Sequence, residues 1–164
     1  MVSAAGFDLK VCYHAGMPCV ARYPNFSVLI TEQDGEIVSI DLVPPEVLGT
    51  RLSPLAQEAG RQLREYFAGT RRDFCLPLRA NGTEFQNTVW RAMSAIPYGE
   101  TRSYAQLAKT VGKPGAARAV GSACGRNPLP IVVPCHRVIT SDGQLGGYSG
   151  GVNVKAQLLE IEKG

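Results

Sequence analysis

Long apolar runs are missing from this 164-residue sequence, and none approaches the roughly 20 residues needed to span a bilayer as a helix. The start of the chain also lacks the basic-then-apolar pattern of a secretory leader. These two absences predict an intracellular protein, cytoplasmic, or nuclear if its source is eukaryotic. An even cysteine count is missing too. The five cysteines, Cys12, Cys19, Cys75, Cys124 and Cys135, argue against a disulfide framework. Cys12, His14 and Cys19, with Cys75, offer zinc-ligand types, but their spacing is not that of a familiar finger. No metal is expected.

Acidic residues are scarce in one stretch. Residues 85–130 carry six basic side chains (Arg91, Arg102, Lys109, Lys113, Arg118, Arg126) against Glu100 alone, a net of +5. Residues 1–84 carry eight basic and ten acidic residues, a net of −2. A basic central block fits a face that binds a polyanion, although a solvated helical surface has the same composition.

What is present divides the chain in two. Residues 26–31 and 36–43 are β-rich and flank Asp34-Gly35, a strong hairpin signal. Ser53-Pro54 then offers an N-cap and a first-turn proline, and Leu55, Ala59, Leu63 and Phe67 follow at helical spacing. Pro44-Pro45 ends the second strand, and residues 69–83 form a connector containing Pro77 and Asn81-Gly82. Residues 1–79 therefore read as a small α/β scaffold domain, a β-sheet with a helix. Residues 80–164 read as a second, mainly α domain.

The second domain opens on a capping-box pattern, Thr83 and Gln86, followed by an apolar helical face of Phe85, Val89, Trp90, Met93 and Ile96. Two short helices follow, Thr101–Ala108 and Ala116–Cys124, separated by Gly112-Lys113-Pro114-Gly115. Such a pair reads as helix-turn-helix. The second helix is nearly free of bulk, with Ala116, Ala117, Ala119, Gly121 and Ala123 around one arginine, Arg118. A smooth helix suits close approach to a narrow groove, and equally suits tight packing against a neighbour. A final helix runs from about Asn153 to Glu162.

The chemistry concentrates at Pro134-Cys135-His136-Arg137-Val138. The preceding Ile131-Val132-Val133 reads as a short buried strand that Pro134 ends, which puts Cys135 at a strand end. Thiolate is the nucleophilic form of cysteine, and His136 is the candidate base. Alone, a Cys-His pair fits a buried thiol beside a satisfied histidine equally well.

The wider pattern joins Ser103-Tyr104-x-x-Leu107-Ala108 and Ala116-Ala117-Arg118-Ala119-Val120-Gly121 to Asn127-Pro128, Pro134–Val138 and Gly146-Gly147-Tyr148-Ser149-Gly150-Gly151. It resembles the O6-alkylguanine-DNA alkyltransferases (methylated-DNA–protein-cysteine methyltransferases) over residues 83–164. The resemblance implies a winged-helix-like helix-turn-helix that enters the minor groove of double-stranded DNA. It implies direct reversal of damage, with one irreversible transfer of an alkyl group from O6-alkylguanine, and from O4-alkylthymine, to Cys135. No cofactor and no protein partner are implied, and the chain is expected to act as a monomer.

The same resemblance assigns the roles. His136 deprotonates Cys135 through a water, Glu162 orients the imidazole, and Tyr104 protonates the leaving guanine with support from Lys155. Glu160, two residues from Glu162, would point elsewhere on a helix. Asn127 bridges the recognition helix to the reactive segment. Tyr148 packs on the extruded base, Ser149 and Gly150 offer backbone donors, and the carbonyls of Cys135 and Val138 accept from the guanine amino group. Arg118 fills the gap in the base stack. Ala117, Ala119, Gly121, Ser141 and Tyr104 complete the DNA contacts. The rival readings are a cysteine hydrolase, a non-catalytic binder of alkylated DNA and a plain structural domain.

Overall fold

The computed structural model describes residues 19–23, 26–43 and 53–164, which fall into two compact units, one ending at Arg79 and one beginning at Ala80. The first unit is built on an antiparallel sheet in the order β1 (Cys19–Tyr23), β2 (Phe26–Gln33), β3 (Glu36–Val43). Asp34 and Gly35 both have positive φ, 53° and 80°, so the β2–β3 hairpin closes in the tight turn whose twist matches its strands. Strand β1 is an addition, for the sequence offered no reading of that segment.

Alternation buries Val28 and Ile30 on β2, while on β3 the buried Ile37 and Ile40 lie three residues apart, either side of a shift in the β2–β3 register. Helix α1 (Pro54–Phe67) lies against β2 and contributes Ala56, Ala59, Leu63 and Tyr66 to the core. Its N-cap, Ser53, accepts from the Ala56 amide at 3.0 Å and donates to Glu32 at 2.5 Å, which ties the helix start to the sheet. The connector is less loose than its composition implies. Gln62 donates to the Cys75 carbonyl and accepts from the Cys75 amide, both at 2.9 Å. Ile37 then exchanges backbone bonds with Pro77 and Arg79, so residues 77–79 run along β3. Pro44-Pro45, Cys12 and His14 lie outside the described residues, as does the side chain of Cys19.

The second unit is helical around one short strand pair. Helix α2 (Glu84–Ser94) begins with the capping box at Thr83, whose backbone donates to Gln86 at 2.8 Å. Val89, Trp90 and Met93 are buried along α2, and the Trp90 indole donates to the Ala123 carbonyl at 2.9 Å. A two-residue strand β4 (Arg102–Ser103) leads into α3 (Tyr104–Thr110), and α4 (Ala117–Gly125) packs against both α2 and α3. Helix α3 starts at Tyr104, later than expected, because Ser103 caps it and forms a second capping box with Gln106.

The apolar run before Pro134 is not a strand, which corrects the expectation. Ile131 has a φ of 75°, Pro130 bridges back to Val133, and the segment turns on itself. Apolarity keeps Ile131 and Val133 in the core, while the flanking prolines deny the run a regular ladder. Cys135 accordingly does not end a strand. It opens a 3₁₀ turn, Cys135–Arg137, followed by β5 (Val138–Ile139), which pairs in parallel with β4. Helix α5 (Val152–Lys163) closes the unit and buries Lys155, Leu158 and Glu162 along one face.

Gly82 sits against the α2 core. A Cβ there would lie 2.5 Å from two Trp90 ring atoms. Gly82→Ala is expected to destabilise the second unit by about 1–3 kcal/mol, the usual cost of overpacking a well-filled core. Urea unfolding followed through Trp90 checks this, and an unchanged midpoint would show that the ring shifts freely.

Candidate active site

The β4–β5 ladder aligns Arg102 with Val138 and Ser103 with Ile139, so the start of α3 and the reactive turn are neighbours by register. Tyr104 therefore stands beside Cys135. The turn is held by the Cys135 amide donating to the Val133 carbonyl at 2.8 Å and the Arg137 amide donating to the Pro134 carbonyl at 3.0 Å. Three residues per turn send successive side chains in different directions. Cys135 lines a cavity of about 380 Å³, shared with Tyr104, Gly121, Cys124, Gly125, Gly147, Tyr148 and Ser149. His136, fully buried, meets Glu162 instead.

Cys135 is 5% exposed, and its burial pushes the thiol up from its ordinary value. Asn127 and Lys155 pull the other way. The Asn127 amide donates to Sγ at 3.3 Å and to the Val133 carbonyl at 2.8 Å, while its oxygen accepts from the Leu129 amide at 3.0 Å. Asn127 thus braces the chain leaving α4 against the reactive turn. The resting group is a thiol, and a base is needed to make it a nucleophile.

Glu162 is the best-satisfied polar group of the unit. Its Oε1 accepts from His136 Nε2 at 2.8 Å and Arg137 Nη2 at 2.9 Å, and its Oε2 accepts from Arg137 Nε at 2.9 Å and the Gly99 amide at 3.1 Å. The fork from Arg137 is the geometry in which guanidinium binds carboxylate best. Arg137 also donates to the Ile96 carbonyl at 2.6 Å and lies 5.7 Å from the centre of the Tyr98 ring. With Arg137 already matching the carboxylate charge, desolvation dominates at His136 and lowers its pKa. The imidazole is then neutral at pH 7, Nε2 carries the proton given to Glu162, and Nδ1 keeps its lone pair. Glu160, by contrast, is exposed and pairs with Lys163 at 3.0 Å.

Lys155 is wholly buried, and burial lowers its pKa. Its ammonium donates to the Val138 carbonyl at 2.6 Å and the Gly147 carbonyl at 3.4 Å, and lies 6.0 Å from the Tyr104 ring centre. It therefore pins the glycine-rich loop to β5. The Val138 carbonyl already accepts from Lys155, and the Cys135 carbonyl from the Val138 amide, so each offers a base its second lone pair. Tyr104 is half-buried, and burial raises its hydroxyl pKa, which keeps the phenol a donor. The Tyr148 hydroxyl is buried with no hydrogen-bond partner among the described residues, and burial pushes it well up.

Arg118 and Ala119 are exposed on α4 and Ala117 is half-buried. A Cβ on Gly121 would lie 3.7 Å from the Tyr104 ring. Ser141 is exposed in its turn and Gly150 half-buried in the loop, and neither lines the cavity. The resemblance implies that the Gly146–Gly151 loop forms the pocket wall, and Gly147 lines the cavity, whereas Cys124, Gly125 and Arg137 were given no role. The reactive motif contained Arg137, but only the fold reveals its partner. Among the described residues, no group of three or more His, Cys, Asp or Glu could hold a metal, and Cys75, Cys124 and Cys135 are free thiols.

Residues 84–164 match the family model for the DNA-binding domain of 6-O-methylguanine DNA methyltransferase. A methylated-DNA–protein-cysteine methyltransferase of Mycobacterium leprae is 60% identical over 106 residues, 65% of this chain and 64% of that protein. The constitutive methylated-DNA–protein-cysteine methyltransferase of Bacillus subtilis is 56% identical over 112 residues, 68% of each chain. The match thus spans a little under two thirds of the mycobacterial relative. A crystal structure of Mycobacterium tuberculosis OGT in complex with DNA superposes with a TM-score of 0.81 at 42% identity, covering 88% of this chain and 91% of that one. On these similarities the chain belongs to the 6-O-methylguanine DNA methyltransferase family.

Proposed function

We propose that this protein repairs alkylated double-stranded DNA by direct reversal. It moves the alkyl group from O6 of guanine, and from O4 of thymine, to Cys135 Sγ once per chain. The observation that carries this reading is a buried thiol lining a cavity of about 380 Å³, followed in sequence by a buried imidazole held by Glu162.

His136 accepts the thiol proton at Nδ1, through a water, and Glu162 stabilises the imidazolium formed. Sγ attacks the saturated carbon and the carbon–oxygen bond breaks. Its electrons go to the purine, which takes a proton from Tyr104, and Lys155 favours this step by holding the wall of the cavity. The product is a thioether with no easy hydrolytic exit, so the step is not repeated. A hydrolase reading is disfavoured because the Cys135 amide, the natural oxyanion donor, is spent on the Val133 carbonyl.

The target base is hidden within a duplex and must be extruded. The α3–turn–α4 pair serves as a winged-helix-like helix-turn-helix that lies in the minor groove. There the exposed Arg118 enters the stack, while Ala117, Ala119 and Gly121 allow close approach and Ser141 touches the backbone. Tyr148 packs on the extruded base, and Ser149, Gly150 and Val138 supply backbone contacts. Residues 1–79 act as a scaffold domain. The protein works as a monomer without a cofactor, in the cytoplasm or, in a eukaryote, the nucleus. No helix among the described residues is long and apolar enough to cross a membrane.

Incubation with a duplex carrying one O6-methylguanine is expected to add a single methyl to the Cys135 peptide by mass spectrometry, saturating at one per chain. No added mass on folded protein would remove the reading. Cys135→Ala is expected to abolish transfer while keeping DNA affinity, and loss of both would contradict the separation of roles. Arg118→Ala is expected to slow transfer from duplex more than from the free alkylated base. An equal loss on both substrates would exclude Arg118 from extrusion.

A further inference from the structure

We infer that Arg137 is a positioning residue for this chemistry: by forking Glu162, it keeps His136 an unprotonated base at neutral pH. The inference rests on the transfer reading for its effect on rate, but not for its effect on His136 itself.

Three features carry it. Arg137 is 6% exposed, and its Nε, Nη1 and Nη2 all donate, two to Glu162 and one to the Ile96 carbonyl. A buried guanidinium that donates from all three of its nitrogens is not a solvated surface charge. Second, its fork takes one site on each Glu162 oxygen, and the Gly99 amide takes a second site on Oε2. His136 shares Oε1 with Arg137 Nη2. Third, Gly99 has a φ of 78°, and a Cβ there would lie 2.9 Å from the Glu162 carbonyl. The Pro97–Gly99 turn therefore packs directly on the end of α5.

The charge count explains the need. The charged groups acting on His136 include Glu162 and Lys155 from α5 and Arg137 from its own turn. Glu162 favours protonation, whereas Arg137 and Lys155 oppose it. Cys135, also on the turn, is the proton source. The other helix packed on the turn is α2, and beyond its end the Ile96 carbonyl and the Tyr98 ring both engage Arg137. Without Arg137, a buried Glu162 facing His136 would best be neutralised by a proton held on the imidazole. The base would then be occupied before the thiol could use it.

The test is the pH dependence of methyl transfer in wild type, Arg137→Met and Arg137→Lys. The wild-type acid limb is expected below pH 6.5. Arg137→Met is expected to move it up by about one unit or more, which is roughly a tenfold loss of rate near the limb that recovers at higher pH. Arg137→Lys, which restores the charge, is expected to stay near wild type. A uniform rate loss in Arg137→Met with an unmoved limb, or an equal shift in Arg137→Lys, would overturn the inference. Nitrogen NMR titration of His136 in the wild-type protein needs neither DNA nor a variant that folds. It is expected to show a neutral imidazole with its proton on Nε2 at pH 7. A protonated imidazole at that pH would overturn the inference even if methyl transfer occurs, and a neutral imidazole with no transfer would instead count against the repair reading.

Discussion

The second unit depends on one buried carboxylate. Glu162 receives four hydrogen bonds, from His136, twice from Arg137 and from the Gly99 amide. A buried charge is tolerated only when paired and fully bonded, so the groups that satisfy it must arrive together. They come from the turn after α2, the reactive turn and α5. Folding of the unit and assembly of the base are therefore one event. Removing one member leaves a partner charged and dry, which is more damaging than replacing the whole cluster with apolar groups would be.

The strand pair β4–β5 has two residues on each side, yet it does what a larger sheet would do. It sets the register between the helix-turn-helix and the reactive turn. A slip of one residue would turn Tyr104 away from the cavity. Lys155 adds a second brace by joining the Val138 carbonyl to the Gly147 carbonyl. The cavity wall is therefore braced at the glycine-rich loop, and its lining includes three glycines, Gly121, Gly125 and Gly147.

Local rules written in the sequence were legible where the local interaction was decisive. Asp34-Gly35 announces a hairpin because both positions need a left-handed backbone. Thr83 and Gln86 announce a helix start because each caps the other. Glu162 was named by the family resemblance, and helical period added only that Glu160 would point elsewhere; the structure then places Lys155, Leu158 and Glu162 on one buried face. The run Ile131-Val132-Val133 was misread because apolarity signals burial rather than strand, and prolines on both sides override the β-branched preference. Arg137 carried no signal, since its partner lies 25 residues away and only the packing of α5 on the turn brings them together. The cavity roles of Cys124 and Gly125 were hidden for the same reason. They belong to the end of α4, and the wall they form is made by a distant loop.

The indole of Trp90 donates to a carbonyl of α4, the helix that presents Arg118. It is the sole tryptophan of the chain. Tryptophan fluorescence of this protein is thus an optical readout of one residue, coupled by one hydrogen bond to α4. A displacement of α4 that changes this bond alters the field on the buried ring, so the molecule carries its own label for the position of that helix.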